Sequence, residues 1–337
     1  MNTRNKNLMV AGAISLIMVA VTHSASADTA TFQNGLDGYA GTEDNQILDP
    51  GTGFDDANVG GRNAMQLGNG SAISTRRSIL RFDVTSLAGQ FLSIDSASIT
   101  LKKVNAPAGS GTDDAEMWAI ADNNADWVEG SSIFVQTPGE SSWNSKQDGT
   151  STWIGDQPGD PFTSGGGGEL GALQDTIVGV SSNDPASTLY TWDLDPALVE
   201  QWITGINAGV LIKEANELDG IGSGTELLIE FGSKEFGDPI LDAPQHPKLE
   251  INFTPVALAG DFDDNGQVDG DDFLLWQQLL GIVFDADDLT AWENNFGAGV
   301  GPLTAGSSAV PEPSTAVLVI LGLAGLLCGA NGRRSEL

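Results

Sequence analysis

Residues 261–272 read DFDDNGQVDGDD, six aspartates and one asparagine within twelve positions, with glycine at the sixth. A calcium loop of the EF-hand type offers oxygens at positions 1, 3, 5, 7, 9 and 12 and turns on a glycine at position 6. Those places hold Asp261, Asp263, Asn265, Gln267 (through its backbone carbonyl), Asp269 and Asp272, with Gly266 at the turn. Val268 supplies the apolar residue at the eighth place. Isolated aspartates are cheap on an acidic chain, but a fully filled register is not. The loop is therefore read as one Ca2+ site, since calcium is a hard cation that takes six to eight oxygens and lets water complete its shell.

The loop runs into DDFLLWQQLLG from Asp271, and sixteen residues later DDLTAWENNFG begins at Asp287. In this alignment Asp272 matches Asp288, Phe273 matches Leu289, Trp276 matches Trp292 and Leu280 matches Phe296, an internal duplication. The second copy has only GIVF before Asp285, so Asp285, Asp287 and Asp288 make a poor cage, and one ion is expected rather than two. No helix is expected in the lead-in INFTPVALAG. A calcium loop with only an exiting helix, duplicated in this way, resembles a dockerin type I unit, which implies a cohesin-like or matrix-protein partner. Asp in place of Glu at position 12 and the missing second loop depart from that pattern. The apolar faces carrying Phe273, Trp276, Leu280, Leu289, Trp292 and Phe296 should pack on each other. So small a core would draw much of its folding energy from the metal.

Other chemistry is limited by what the chain lacks. It has 337 residues and a net charge of −32, with 14 Lys and Arg against 46 Asp and Glu. Such a surface repels phosphate backbones, so no nucleic-acid partner is expected. The lone cysteine, Cys328, forms no intrachain disulfide, and of the two histidines His23 lies in the leader, leaving His246. A Ser-His-Asp triad, a Cys-His pair or a His-rich zinc centre cannot be assembled from these. Hydrolysis or elimination by paired carboxylates stays open, although no pair stands out.

Both ends carry address signals. Arg4 and Lys6, the apolar run Leu8–Val21 and the small residues SASA make residues 1–27 a secretory signal, cleaved between Ala27 and Asp28. At the other end, VPEPS precedes an apolar run from Ala316 to Ala330 and then Arg333 and Arg334. This apolar run is expected as a C-terminal hydrophobic helix, marginal for a bilayer span, with the arginines on the cytoplasmic side. The three parts in this order, over residues 310–337, resemble a PEP-CTERM sorting tail. The resemblance implies export and membrane retention, transient or permanent. It also implies processing near Pro311, Glu312 and Pro313 by an exosortase-type enzyme.

The elements between are β. SILRFDV, ASITLKKV, LYTWDL, ELLIEFGS and KLEINF alternate apolar and polar residues at period two, separated by Gly-, Asn-, Asp- and Pro-rich turns. Many short strands of this kind point to an antiparallel β-sandwich, jelly-roll-like, over residues 28–254. One helix is expected in DPALVEQWITG, with Asp195 as N-cap, Pro196 at the first position and Gly205 at the end. The order RRSILRFDV, SASITL, DWVEGSS, SSWN, DLDPALVEQWITG, FGSKE and HPKLEINF resembles a DNRLRE-type secreted β-sandwich. That resemblance implies binding of polysaccharide or association with the cell wall. Sugars pack on exposed aromatic faces. Trp192 and Trp202 fit a core period and Trp127 and Trp143 fit packing roles, which leaves Trp153, in the polar stretch TSTWIGDQPGD, as the candidate platform.

The chain is thus expected to be mainly β. Its parts are a signal peptide (1–27), a β-sandwich (28–254), a small α-helical dockerin- or EF-hand-like unit (255–299), a linker (300–309) and a sorting tail (310–337). The expected function is a non-catalytic surface or extracellular-matrix protein that binds polysaccharide. The alternatives are a structural matrix component without glycan specificity and a carboxylate-dependent polysaccharide hydrolase or lyase.

Overall fold

The computed structural model describes residues 27–49, 52–70, 74–106, 111–155, 170–217, 227–238 and 240–299. The secretory signal before Ala27, the linker and the sorting tail with Pro311, Glu312, Pro313, Arg333 and Arg334 lie outside them. The chain divides into two compact units, Met1–Ala257 and Leu258–Leu337.

The first unit is built on antiparallel strands: β1 (Asp28–Gln33), β2 (Thr42–Leu48), β3 (Ala64–Gly70), β4 (Ser74–Phe82), β5 (Phe91–Asn105), β6 (Thr112–Ile120), β7 (Ser145–Gln147), β8 (Ser151–Thr152), β9 (Leu170–Ser181), β10 (Leu189–Leu194), β11 (Val210–Glu214), β12 (Leu228–Gly232) and β13 (Lys248–Pro255). Apart from the small β7–β8 pair, they form one sheet in the order β1-β13-β5-β12-β3-β4-β11-β6-β9, with β10 on β5 and β2 on β4. The mainly β, antiparallel expectation is met. The two layers are not separate sheets, because the long strand β5 serves both. Its residues up to Lys102 pair with β13 and β10, and Lys103 and Asn105 pair with β12 across a bulge. The sheet curls over its own apolar face there.

The alternation read from sequence explains the main core. Tyr190, Trp192 and Leu194 of β10, Ile99 and Leu101 of β5, and Leu249, Ile251 and Phe253 of β13 are buried in one cluster with Leu80, Phe82, Ile229 and Phe231. Phe231 meets Tyr190 and Trp192 edge-on at 5.8 and 6.1 Å, the arrangement that aromatic quadrupoles favour. Helix α1 (Pro196–Thr204) starts as its sequence predicts. Asp195 accepts the Ala197 N–H at 2.9 Å, Pro196 sits at the first position, and Val199, Trp202 and Ile203 are buried.

The opposite face of β4 and β11 is buried as well. Ile79 and Leu211 join Ile47, Ile120, Trp127, Trp143 and Trp153 in a second cluster. Residues 121–155, a loop-rich segment between β6 and β9, supply its three tryptophans. Two cations on that face of β4 are capped by indoles. The Arg77 guanidinium lies 4.6 Å from the Trp143 ring centroid, and Arg81 lies 4.6 Å from that of Trp127.

The second unit holds α2 (Gly270–Leu279) and α3 (Ala286–Asn295).

Candidate functional site

The acidic loop precedes α2. Its left-handed turns fall on Asp264 (φ 56°) and Gly266 (φ 82°), residue types that tolerate this region. The wrap brings carboxylate oxygens of Asp261, Asp263 and Asp272 within 4.8 Å of one another. Asp272 is fully buried. It clasps the loop by accepting the N–H groups of Phe262, Asp263 and Asp269 at 2.7, 3.2 and 2.7 Å. Asp261 accepts from Asn265 and Gly266 at 3.1 and 2.9 Å. Burial raises the Asp261 carboxyl, with Asp272 and Asp263 adding to the shift and the two N–H donors opposing it. Three carboxylates this close favour a counter-cation, and an all-oxygen set suits a hard divalent one.

The remaining sequence-derived positions sit at the rim. Asn265 Nδ2 donates to Asp263 at 3.1 Å, and the Gln267 N–H donates to the Asn265 side chain at 2.8 Å. Asp269 is not drawn into the carboxylate group: its side chain accepts the Asp271 N–H at 2.8 Å and forms a capping box with Asp272. Position 9 of such loops often reaches the ion through water, so capping by Asp269 is compatible with that place.

The duplication is structural as well as sequential. Asp285 and Asp288 repeat the capping box at the head of α3. Trp276 Nε1 donates to the Asp285 carbonyl at 2.8 Å, and Trp292 Nε1 donates to that of Asp269 at 2.6 Å. Gly281 N–H donates to Phe284 and Gly297 N–H to Val268, each at 2.8 Å. The expected packing is partial. Phe273 stacks on Trp276 and meets Trp292 at a tilt, with centroids 5.7 and 4.9 Å away, and Phe296 meets Trp292 edge-on at 4.9 Å, but Leu280 and Phe296 stay largely exposed.

In the β unit the structure corrects one expectation. Trp153 is buried, 8% exposed, and its Nε1 donates to the Ser142 carbonyl at 3.0 Å. Its ring completes the second core cluster, so its faces are not free to stack on a sugar. The polar stretch around it hid this, because the apolar wall it packs on comes from β2, β4 and β11. His246 is also buried, with both ring nitrogens 2.9 Å from carbonyl oxygens, those of Asn34 and Phe236, a packing role.

Sequence reasoning missed a cleft of about 520 Å³ lined by Glu43, Arg81, Glu129, Trp202, Asn207 and Lys234. Arg81 pairs with Glu43 and donates to the Ala125 carbonyl at 2.5 Å. Lys234 pairs with Glu129. Burial pushes the Glu129 carboxyl up to about 7, against the pull of Lys234 and the Asp44 N–H. These residues come from distant segments, and no local spacing announces them.

Residues 309–335 match the family model of the PEP-CTERM protein-sorting motif. The motif marks an exported protein sorted to the cell surface, and exosortase is the enzyme that recognises it. No curated protein matches the chain. Among the described residues, no helix is long and apolar enough to cross a membrane.

Proposed function

We propose that this exported protein is a non-catalytic component of the cell surface or extracellular matrix. In this reading its β unit binds a polysaccharide, and a dockerin-like helix pair holds one calcium ion. The cleft carries the first part. Its two ion pairs, Arg81–Glu43 and Lys234–Glu129, present donors beside acceptors on a concave wall, the pairing that sugar hydroxyls need. A net charge of −32 favours a neutral polymer over an anionic one. Calcium is supported by the convergence of Asp261, Asp263 and Asp272.

Titration calorimetry of the whole protein against neutral matrix polysaccharides tests the cleft. Binding is expected. Glu43→Ala should weaken it about tenfold or more, the cost of a lost charge-assisted hydrogen bond. Absence of binding to every glycan would leave a structural matrix component without glycan specificity.

One observation favours a second reading, a carboxylate hydrolase or lyase: Glu129 lines the cleft with its carboxyl raised to about 7. Against it, both Glu129 oxygens already accept N–H donors, from Asp44 and from Lys234. Release of reducing sugar or unsaturated product would establish the enzyme.

A further inference from the structure

Three carboxylates and one ammonium meet beside the cleft, which Glu129 and Lys234 of the group line. Asp44 comes from β2, Glu129 from residues 121–155, and Lys234 and Glu235 from the turn after β12. Carboxylate oxygens of Asp44, Glu129 and Glu235 lie within 4.8 Å of one another. The Lys234 N–H donates to Asp44 Oδ2 and the Asp44 N–H to Glu129 Oε1, both at 2.8 Å, while the Lys234 ammonium pairs with Glu129. Asp44 is only 1% exposed. Around the group, Glu43 is engaged by Arg81, Arg62 by Glu230, and Glu140 by the Ser131 N–H. Full ionisation would therefore set three negative charges against one positive charge in a largely buried group.

We propose that Asp44, Glu129, Glu235 and Lys234 form a proton-dependent latch that fastens residues 121–155 over the second core cluster. The latch is closed while the group keeps one proton and released when its last carboxylate ionises. The proton belongs on Asp44 or Glu235, since both Glu129 oxygens accept N–H donors and Glu235 Oε2 is buried without a hydrogen-bond partner. Burial raises all three carboxyls, Glu129 to about 7. The backbone at Glu129 is anchored. Asn58 Nδ2 holds both its backbone carbonyl and that of Ser141, and the backbone packs so closely on Gly60 that a Cβ there would meet the Glu129 carbonyl. Repulsion within the ionised group thus acts on a residue whose backbone is tied to Asn58 and Gly60. The sign follows from linkage. Raised carboxyls leave the folded state holding more protons than the unfolded one. The stabilisation is present below the ordinary carboxylate range and is lost as pH rises through the raised range of the group.

The test is limited proteolysis of the whole protein in EDTA from pH 5.5 to 9, with rates normalised to an unfolded substrate and tryptophan fluorescence in parallel. Cleavage within residues 121–155 should accelerate with pH, up to about tenfold per pH unit while one proton is being lost. Asp44→Asn should flatten that rise. If it fails to fold, Glu235→Gln, at the solvent side of the group, is read in the same way. A pH-independent wild type, or variants that track it, would overturn the latch. So would protection by added calcium at pH 8.5 in Asp261→Ala protein, which would make the group a cation site.

Discussion

The indole of Trp276 donates to the carbonyl of Asp285 at 2.8 Å, and Trp292 returns the contact to Asp269 at 2.6 Å. Asp269 and Asp285 are the N-caps of the two helices. Each helix therefore pins the start of the other, and Trp292 pins one inside the acidic loop. Trp292→Phe keeps the ring and loses the donor. It should destabilise the helix pair by about 1 kcal/mol and weaken calcium binding. Trp276→Phe should cost similar stability with less effect on the ion, because Asp285 lies outside the loop. Thermal unfolding with and without calcium separates the two.

Calorimetry of the whole protein should count one calcium ion at the acidic loop. Asp261→Ala should abolish uptake, since Asp261 belongs to the converging group. Asp288→Ala should leave the stoichiometry alone and cost only a share of the α3 capping box, about 1 kcal/mol. Two ions in the wild type, or one that survives Asp261→Ala, would show the assignment to be mistaken.

Trp153→Ala should act on stability first. Removing a buried indole from the second cluster costs roughly 3–5 kcal/mol, which chemical denaturation reads directly. A variant as stable as the wild type would mean that the ring is not packed as described.

Glu214 gives a separate pH dependence. Burial, with Asp113 and Glu217 nearby, pushes its carboxyl up to about 8, and its Oε2 is buried without a hydrogen-bond partner. A raised carboxyl contributes stability that is present below its ordinary value of 4.5 and lost as pH rises through about 8. The unfolding free energy from urea titration should fall over that window, by up to about 1.4 kcal/mol per pH unit. Glu214→Gln should flatten the fall without changing cleavage within residues 121–155.

Patterns that depend on near neighbours in the chain were readable from residues alone. The period-two strands, the Asp195–Pro196–Gly205 helix and the repeat at sixteen residues belong to this kind, because backbone geometry ties spacing to facing. Strand β2, TEDNQIL, is mostly polar and yet almost wholly buried. Several of its polar groups find partners far along the chain: Glu129 for the Asp44 N–H, Ser141 for Asn45 and Gln66 for Gln46. Trp153 was misread for the same reason, since its neighbours in sequence are polar while the buried cluster it joins draws Ile79 and Leu211 from distant strands.

The sequence by itself determined the mainly β character, the acidic loop with its register, the diminished second copy and the sorting tail. Each is written in local spacing, and local spacing constrains φ/ψ and facing directly. Only the tertiary structure decided that residues 121–155 close over a second core, that Trp153 is covered, and that Asp44, Glu129, Lys234 and Glu235 share one site. Those outcomes rest on contacts between residues far apart in the chain, where burial and charge depend on which surfaces the curled sheet brings together.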